Sequence, residues 1–303
     1  MSSEPCPAGI EVLDGGALTT VQDLGRPGLA QLGIPRSGAA DRDSLRLANR
    51  LVGNPEDAAG LETTVIGPRL KLLRAMTLAL TGATVEAQLN GAPLAMNCQI
   101  HAPASSVLKV GVARQGLRTY LAFRGGINCE PVFGSRATDL HNHLGPLPLA
   151  AGQHLPLGEP LEPFASIGLA PVSEVAAAPT LRVVLGPRQD RFNSRALERL
   201  LREPFQVSSD IDRVGVRLKG PELRWIDQSE LLSEPLISGA IQVPGDGQPI
   251  LMMADHPTTG GYPVIAVIHS ADLGIAAQLT PGQQLRFSLH PDFSESKTSG
   301  YHR

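Results

Sequence analysis

Residues 65–112 contain the runs of sequence that decide the fold: VIGPRLKLL (65–73), TLALTG (77–82), VEAQLNG (85–91) and VLKVGV (107–112). These runs are rich in Val, Leu, Ile and Thr. They are broken by glycine, proline or an Asn-Gly pair, which are residues that tight turns require. Short apolar runs separated by turn residues are typical of β-barrels and β-sandwiches. The sequence therefore predicts a mainly β protein with a few helices.

Local patterns on either side of this region predict a hairpin and two helices. Apolar residues that alternate on both sides of a Gly-Gly pair predict a hairpin over residues 11–23. Apolar residues at helical spacing predict a helix over residues 43–52, capped by Asp41 or Asp43, and another over residues 190–203.

The middle and the end of the chain lack such periodicity. Residues 156–179 are rich in proline, alanine and serine, which indicates a boundary or a connection between two halves. The residues after Pro291 are polar and predict a frayed tail.

The composition excludes several classes of protein. Lys and Arg number 26 against 29 Asp and Glu, a net charge of −3, so the chain has no basic surface for a phosphate backbone and we expect no nucleic-acid partner. The longest weakly polar stretch, residues 75–85, is much shorter than the roughly 18 residues of a membrane helix, so we expect no membrane partner. The first residues, MSSEPCPAGI, carry no basic region followed by an apolar run. We expect a soluble, cytoplasmic protein.

Cysteine and histidine do not predict a metal site. Cys6, Cys98 and Cys129 lie at long spacings without a Cys-x-x-Cys motif, which favours reduced thiols. His141 and His143 form a His-x-His pair that could face one ion, but a third ligand is lacking and turn residues flank the pair. A polar loop is the better interpretation.

Several common catalytic motifs are missing. The sequence has no G-x-x-x-x-G-K-[ST] phosphate loop, no G-x-S-x-G nucleophile elbow and no Ala-Met-Lys site for biotin. It also lacks the Ser-Ser-Lys arrangement of an amidase. If the protein handles ATP, it does so without a P-loop.

Arginines in glycine-rich loops are the candidates for binding anions. Of the 26 basic residues only four are lysines, which leaves 22 arginines. The planar guanidinium binds carboxylate or phosphate through two parallel hydrogen bonds. Such arginines also pair with nearby carboxylates and fix corners, so both interpretations stay open. The candidates are Arg26, Arg36, Arg124, Arg136, Arg213 and Arg217.

The segment IQVPGDGQPILMMADHPTTGGYPVI (241–265) is the strongest local candidate for a site. Its glycines leave room near the backbone, Tyr262 can donate a hydrogen bond, and His256 can transfer protons near neutral pH. A histidine in a β-loop also serves as a structural hydrogen-bonding group, and an Asp-His pair also suits a simple turn.

Six motifs together resemble one family, that of the 5-oxoprolinase C subunit, also described as allophanate hydrolase subunit 2 or biotin-dependent carboxyltransferase-like proteins. The resemblance covers about residues 10–288 and implies two cyclophilin-like β-barrel halves, residues 1–165 and 166–290, followed by a polar tail over 291–303. The motifs are TTVQDLGRPG (19–28), SGAADRDSLRLANRLVGN (37–54), YLAFRGGI (120–127), GSRATDL (134–140), DRVGVRLKGP (212–221) and GAIQVPGDGQPILMMADHPTTGGYP (239–263).

The resemblance implies a component of an ATP-dependent 5-oxoprolinase, which converts 5-oxoproline to glutamate. A partner similar to the 5-oxoprolinase B subunit would form the active site with this chain, and a protein similar to the A subunit would complete the reaction. ATP, with or without Mg²⁺, would bind this chain or its partner. Two alternatives stay open: a carboxyltransferase that acts on a urea-like amide with biotin, and a regulatory partner of a sensor-kinase inhibitor.

The resemblance and the residue chemistry together select the site residues. We expect the arginines to hold carboxylate or phosphate, Asp255 or His256 to handle protons, and Tyr262 with Gln242 to orient the amide. The predicted catalytic residues are Arg124, Asp255, His256 and Tyr262. The predicted substrate-binding or anion-binding residues are Gln22, Asp23, Arg26, Ser37, Asp41, Gly125, Gly126, Arg136, Arg213, Gln242, Thr259, Gly260 and Gly261.

Two positions depart from the family pattern. Similar proteins commonly have ADRQT where this chain has ADHPT, and a basic residue after GGYP where this chain has Val264. A lost cation could change the substrate or move its role to His256.

Overall fold

The computed structural model describes residues 8–162, 170, 176–226 and 231–294, and it confirms the predicted mainly β fold. The chain divides into two compact units, Met1–Leu29 with Arg36–Val175 and Ala30–Pro35 with Ala176–Arg303. The predicted boundary between residues 165 and 166 lies outside the described residues. Of the predicted tail, only the short helix Pro291–Ser294 is described.

The first unit contains a nine-stranded sheet whose main path runs β2-β3-β8-β4-β1-β9, with β5, β6 and β7 attached through β8. One face of the sheet buries the larger core cluster, which includes Ile10, Leu61 and Leu121. The elements are β1 (Ala8–Asp14), β2 (Leu18–Gln22), α1 (Arg42–Leu51), β3 (Gly60–Thr64), β4 (Arg69–Leu72), β5 (Met76–Leu89), β6 (Ala92–Leu94), β7 (Ile100–Ala102), β8 (Val107–Phe123) and β9 (His154–Pro156).

Helix α1 confirms the predicted helix to within one residue at each end. The Asp41 side chain accepts a hydrogen bond from the Ser44 backbone N–H, which makes Asp41 the cap. Leu45, Ala48 and Leu51 are fully buried at helical spacing. The apolar stripe packs on small side chains of β5 and β8, and this fixes the loop before α1 against the sheet.

The predicted hairpin over residues 11–23 is wrong. Strand β1 pairs with β4 and β9, whereas β2 pairs with β3. The two glycines of the turn explain the difference. A Cβ on Gly15 would lie 2.0 Å from the Leu149 carbonyl oxygen, and Gly16, at φ +71°, would meet the Ile66 carbonyl. The glycines therefore admit other segments of the chain instead of closing a two-strand turn.

The second unit contains a closed barrel in the order β10-β17-β14-β15-β12-β11-β18. The ring closes because β10 pairs in parallel with β18. Inside it, the Phe205 and Phe287 rings lie 5.7 Å apart. The elements are β10 (Thr180–Leu185), α2 (Ser194–Arg202), β11 (Phe205–Ile211), β12 (Gly215–Lys219), β13 (Glu234–Pro235), β14 (Ala240–Gln242), β15 (Ile250–Met252), β16 (Thr259–Gly260), β17 (Val264–Ile268), α3 (Leu273–Ala277), β18 (Gln284–Leu289) and α4 (Pro291–Ser294).

Helix α2 begins later than predicted. Residues Gln189–Arg191 form a 3₁₀ turn, and the extended Phe192 separates that turn from the helix. Asn193 then caps α2, because its side-chain oxygen accepts from the Ala196 N–H at 2.8 Å. Within the described ranges, every helix is too short or too polar to cross a bilayer.

Candidate functional site

The predicted site residues are divided between the two units, so each group is described within its own unit. In the first unit, one group surrounds the Thr138 carbonyl oxygen. Gln22, at the end of β2, donates from Nε2 to this oxygen at 3.0 Å, and the Ser37 hydroxyl donates to it at 3.3 Å. Both side chains are fully buried. Two residues that are 15 positions apart in the sequence therefore meet at one backbone acceptor.

Asp23 fastens the loop after β2 to this same segment. Its carboxylate accepts from the Gly25 N–H at 2.7 Å, from the Ser135 hydroxyl at 2.7 Å and from the Arg136 N–H at 2.6 Å. These three donors satisfy the carboxylate within the chain. Asp23 thus holds the predicted anion-binding loops in place.

Arg26 and Arg136 direct their guanidinium groups to the chain itself. Arg26, 1% exposed, donates to the backbone carbonyls of Val132 and Ala137. Arg136 donates from Nε to the Cys129 carbonyl at 2.8 Å and from Nη2 to Asn128 Oδ1 at 2.7 Å. In this structure both side chains tether loops, and their binding of an external anion stays a prediction.

Arg124, Gly125 and Gly126 form a second group in the first unit, at the end of β8. Arg124 donates to the Leu161 carbonyl at 3.0 Å and to the Glu162 carboxylate at 2.6 Å. Gly125 and Gly126 both adopt left-handed backbone conformations, with φ of +94° and +68°.

The glycines admit the chain's own backbone. A Cβ on Gly125 would lie 2.2 Å from the Gly158 carbonyl oxygen, and a Cβ on Gly158 would lie 2.5 Å from that of Gly125. Gly125 was predicted to bind substrate. In this structure the backbone of Gly158 approaches it at the place where a ligand was expected.

Sequence reasoning missed a buried network beside Asp41. Glu62 on β3 accepts from the Tyr120 hydroxyl at 2.7 Å and from the Ala40 N–H at 2.9 Å. Its other oxygen lies 3.7 Å from Arg118 Nε, and both side chains of this ion pair are 1% exposed. The Asp41 N–H completes the network by donating to the Tyr120 hydroxyl at 2.8 Å. The network joins the sheet to the loop that leads into α1.

The network makes stability sensitive to alkaline pH. Burial, with the nearby Glu62 and Asp41 carboxylates, raises the pKa of Tyr120 well above its usual value of 10.0. A raised pKa gives stability that is complete below the unfolded pKa and is lost as the pH rises above it. Between about pH 9.5 and 11.5 we expect the free energy of unfolding to fall less steeply in Tyr120→Phe than in the wild type.

Urea unfolding at several pH values, followed by circular dichroism, measures these slopes. Tyr262→Phe is the matched control, because the Tyr262 side chain is 48% exposed. If the free energy of unfolding fell equally steeply with pH in Tyr120→Phe and in the wild type, ionisation of Tyr120 would not explain the loss of stability.

In the second unit, Arg213 and Asp255 form a bidentate ion pair. Arg213 Nε donates to one carboxylate oxygen at 2.8 Å, and Nη2 donates to the other at 2.9 Å. The side chains are 4% and 1% exposed. Both carboxylate oxygens therefore accept a charge-assisted hydrogen bond from one buried guanidinium. The structure therefore favours a positioning role for Asp255 over the proton transfer that the sequence suggested.

His256 follows the ion pair and is 6% exposed. Its Nδ1 lies 2.7 Å from the Pro257 carbonyl oxygen. Because a carbonyl oxygen only accepts, Nδ1 must donate, and a neutral imidazole then has its lone pair on Nε2. Proton transfer by His256 stays a prediction.

Gln242, on β14, contacts the backbone of Tyr262, which lies between β16 and β17. Gln242 Nε2 donates to the Tyr262 carbonyl oxygen at 3.0 Å, and this bond positions residue 262. It also uses one of the two amide hydrogens with which Gln242 was expected to orient the substrate. The Tyr262 side chain is 48% exposed. Within the described ranges its hydroxyl has no hydrogen-bond partner, so the hydroxyl can contact a ligand.

The glycines before Tyr262 belong to a small ribbon. Thr259 and Gly260 form β16, which pairs with β13. A Cβ on Gly260 would lie 2.5 Å from Gln242 Nε2, so the Gln242 side chain would have to move to admit one, whereas Gly261 has more room. Glu234 on β13 is hydrogen-bonded by Arg188, and this contact lowers the pKa of the carboxyl. The ribbon is thus anchored to the barrel.

Val264 begins β17 and is 6% exposed. It packs against Leu236, Ala240 and Met252. Val264, the position at which the family resemblance leads us to expect a basic residue, is therefore part of the apolar barrel wall.

The described residues contain no group of three His, Cys, Asp or Glu side chains that could hold a metal ion. His141 and His143 are exposed in a turn. The Asp139 carboxylate organises this turn by accepting from the His141 N–H at 3.1 Å and the Asn142 N–H at 3.0 Å. The segment is a polar loop.

Comparison with known proteins gives consistent matches along the chain. The family model for the carboxyltransferase domain, subdomain A and B, matches residues 32–289. The chain is 38% identical to the 5-oxoprolinase C subunit of Escherichia coli, over 92% of this chain and 90% of that protein. It is 34% identical to the 5-oxoprolinase C subunit of Haemophilus influenzae over the same shares. The crystal structure of the Kluyveromyces lactis urea carboxylase matches 94% of this chain with 33% identity and a TM-score of 0.86, and this chain spans 28% of it.

The nine-stranded sheet, the closed barrel and the matched family model define a carboxyltransferase-domain protein. Its extended similarity to two proteins of the same name shows that the chain belongs to the family of the 5-oxoprolinase C subunit. The resemblance drawn from the six motifs is therefore confirmed. The relatives are components of enzymes, which supports the role of an enzyme subunit.

Proposed function

We propose that this chain is one component of an ATP-dependent 5-oxoprolinase that converts 5-oxoproline to glutamate. The observation that carries the proposal is the 38% identity to the Escherichia coli C subunit over 90% of that protein's length. In the proposal, a protein similar to the B subunit forms the active site with this chain, and a protein similar to the A subunit completes the reaction.

Residues 255–262 of the second unit carry the groups that would act on a cyclic amide. Amide resonance makes the lactam carbon a weak electrophile, so its cleavage needs activation and proton transfer to the leaving nitrogen. His256 can exchange a proton through Nε2, and the exposed Tyr262 hydroxyl can donate to the amide oxygen. The ion pair of Arg213 and Asp255 positions the backbone that carries His256.

Three of the arginines predicted to hold carboxylate or phosphate are already engaged within the chain. Arg26 and Arg136 donate to the chain's own acceptors, and Arg213 is paired with Asp255. Guanidinium N–H groups that already donate within the chain are not available to a second ligand. We therefore propose that ATP binds the partner that resembles the B subunit, and we assign no step of the reaction to these three arginines.

Tyr262→Phe tests the proposal in the assembled enzyme. With both partner proteins present, we expect kcat for the formation of glutamate from 5-oxoproline to be roughly 10²-fold lower in the variant, because the donor hydroxyl is lost. Ile275→Ala is the control, since Ile275 is also exposed in the second unit, at 39%. Gel filtration establishes that each complex is intact.

Two outcomes would contradict the proposal. One is the absence of ATP-dependent glutamate formation by the intact wild-type complex. The other is unchanged kcat in Tyr262→Phe, which would remove this hydroxyl from the reaction.

Carboxyl transfer to a urea-like amide is the second candidate function, because the chain superposes on part of a urea carboxylase. It requires a separate biotin carrier, since the sequence has no Ala-Met-Lys site. Transfer of labelled carboxyl from carboxybiotin to urea, together with no glutamate formation, would favour this function over the first.

A further inference from the structure

The ribbon formed by β13 and β16 is open at one end. Its ladder reaches the pair of Glu234 with Gly260 and stops there. Beyond this pair, residues 231–233 and 261–262 continue the two segments, with no hydrogen bond between them in the part of the chain that the structure describes. We call these five residues the open end of the ribbon. Tyr262, which we propose to contact the substrate, is one of them.

Gly261 lies across from the opposite segment without filling the space between them. A Cβ on Gly261 would lie 3.9 Å from the Leu231 carbonyl oxygen and 4.0 Å from Ser233 Oγ, which are ordinary contact distances. The backbone of Gly261 does not adopt the left-handed conformation that favours glycine. Neither the neighbours nor the backbone therefore require a glycine here, and the missing side chain leaves the groups of the opposite segment accessible.

The groups around this space can bind both halves of an amide. Among the described residues, none donates to the Leu231 carbonyl and none is hydrogen-bonded to the Ser233 hydroxyl. A carbonyl oxygen only accepts, whereas the Ser233 and Tyr262 hydroxyls can donate. Ser233 and Gly261 are exposed, so a ligand can reach them. The open end of the ribbon thus offers an acceptor for an amide N–H beside donors for an amide oxygen.

Leu232 adds an apolar side chain to the open end of the ribbon. The ladder register, continued by two residues beyond Glu234 and Gly260, places Leu232 opposite Tyr262. The two side chains are 88% and 48% exposed. Side chains directly opposite each other in an antiparallel pair are close enough to touch the same small molecule. A leucine beside an aromatic ring can cover the methylene groups of such a ligand.

We propose that the open end of the ribbon binds a small amide whose N–H and C=O lie on the same side, as they do in a lactam and in urea. Such a ligand can donate to the Leu231 carbonyl while its oxygen accepts from the Ser233 or Tyr262 hydroxyl. A trans amide, like the peptide bond, points these groups in opposite directions. The inference rests on the proposed function for the class of substrate, and it adds the groups that recognise that substrate.

Binding of small amides to the full chain, without partner proteins or ATP, tests the site. The probes are 5-oxoproline, urea, pyrrolidone and N-methylpyrrolidone, and the backbone amide NMR spectrum follows each titration. We expect 5-oxoproline or urea to bind with a Kd on the order of millimolar and to shift the resonances of Ser233 and Gly261. Methylation removes the N–H, so N-methylpyrrolidone is expected to bind roughly tenfold more weakly than pyrrolidone.

Gly261→Ala separates ligand binding from folding. Its methyl group would lie between the two segments and is expected to weaken binding of the lactam by roughly tenfold or more. The thermal midpoint is expected to stay equal or rise, because alanine restricts the unfolded chain. Ser233→Ala is the second variant and is expected to weaken binding less. Gly245→Ala is the matched control, since Gly245 is exposed in the same unit and has no atom within 4 Å of an added Cβ.

The site is overturned if neither 5-oxoproline nor urea binds the wild type, or if methylation of the amide does not weaken binding. It is also overturned if Gly261→Ala and Ser233→Ala both bind as tightly as the wild type, or if Gly245→Ala weakens binding to the same extent. A preference for urea over 5-oxoproline supports the site and favours carboxyl transfer as the reaction.

Glutamate formation by the assembled enzyme is measured separately. An active complex whose chain binds none of these amides would overturn the site and leave the proposed function standing. Binding with the expected losses in Gly261→Ala and Ser233→Ala, but with no glutamate formed, would support the site and overturn the proposed function.

Discussion

Asp255→Asn is expected to lower the free energy of unfolding of the second unit by about 3–5 kcal/mol, because it leaves the buried Arg213 cation without its charged partner. The bidentate geometry of the pair and the near-complete burial of both side chains make the loss large. Fluorescence of Trp225 during urea unfolding measures the effect, since this is the single tryptophan of the chain and it donates to the Val243 carbonyl within the same unit.

Two further variants define the origin of the effect. Asp246→Asn changes an exposed turn carboxylate and is expected to cost less than about 0.5 kcal/mol. The double variant Arg213→Met, Asp255→Leu is expected to lose less than the sum of the single losses, because no buried charge remains. Unchanged stability in Asp255→Asn together with lost activity would instead favour Asp255 as a proton acceptor.

Glu62→Ala is expected to destabilise the first unit by about 3–5 kcal/mol, since it removes the acceptor shared by Tyr120 and Ala40 and the ion-pair partner of Arg118. Hydrogen exchange measured by mass spectrometry should show faster exchange in peptides that cover β3 and β8. Peptides from β11 and β12 provide the internal reference.

Glu86→Ala is the control for this prediction, because it removes an exposed carboxylate 3.2 Å from Arg114. Its expected cost is at most about 1 kcal/mol. Equal exchange rates in Glu62→Ala and Glu86→Ala would show that the buried network contributes little to stability.

The features that were predicted correctly depend on short stretches of sequence. Helix α1 and its cap follow from Asp41, the apolar spacing and the glycine after Val52, all within about a dozen residues. The short apolar runs likewise predict strands. The pairing of those strands does not follow, because the steric demand on Gly15 comes from residue 149, far along the chain.

The candidate site was predictable in composition but not in its internal contacts. Asp255 and Arg213 were both selected, yet nothing local shows that side chains 42 positions apart neutralise each other. Asp23 and Ser135 meet across 112 positions in the same way.

The parallel pairing of β10 with β18 also constrains when the second unit can form. These are the first and last strands of the barrel, and they close it only after Leu289 has been synthesised. During translation, β10, β11 and β12 are therefore exposed with incomplete neighbours while about seventy further residues are added. The nascent chain would hold open strand edges for several seconds at ordinary elongation rates, a period in which those edges could pair with other chains and aggregate.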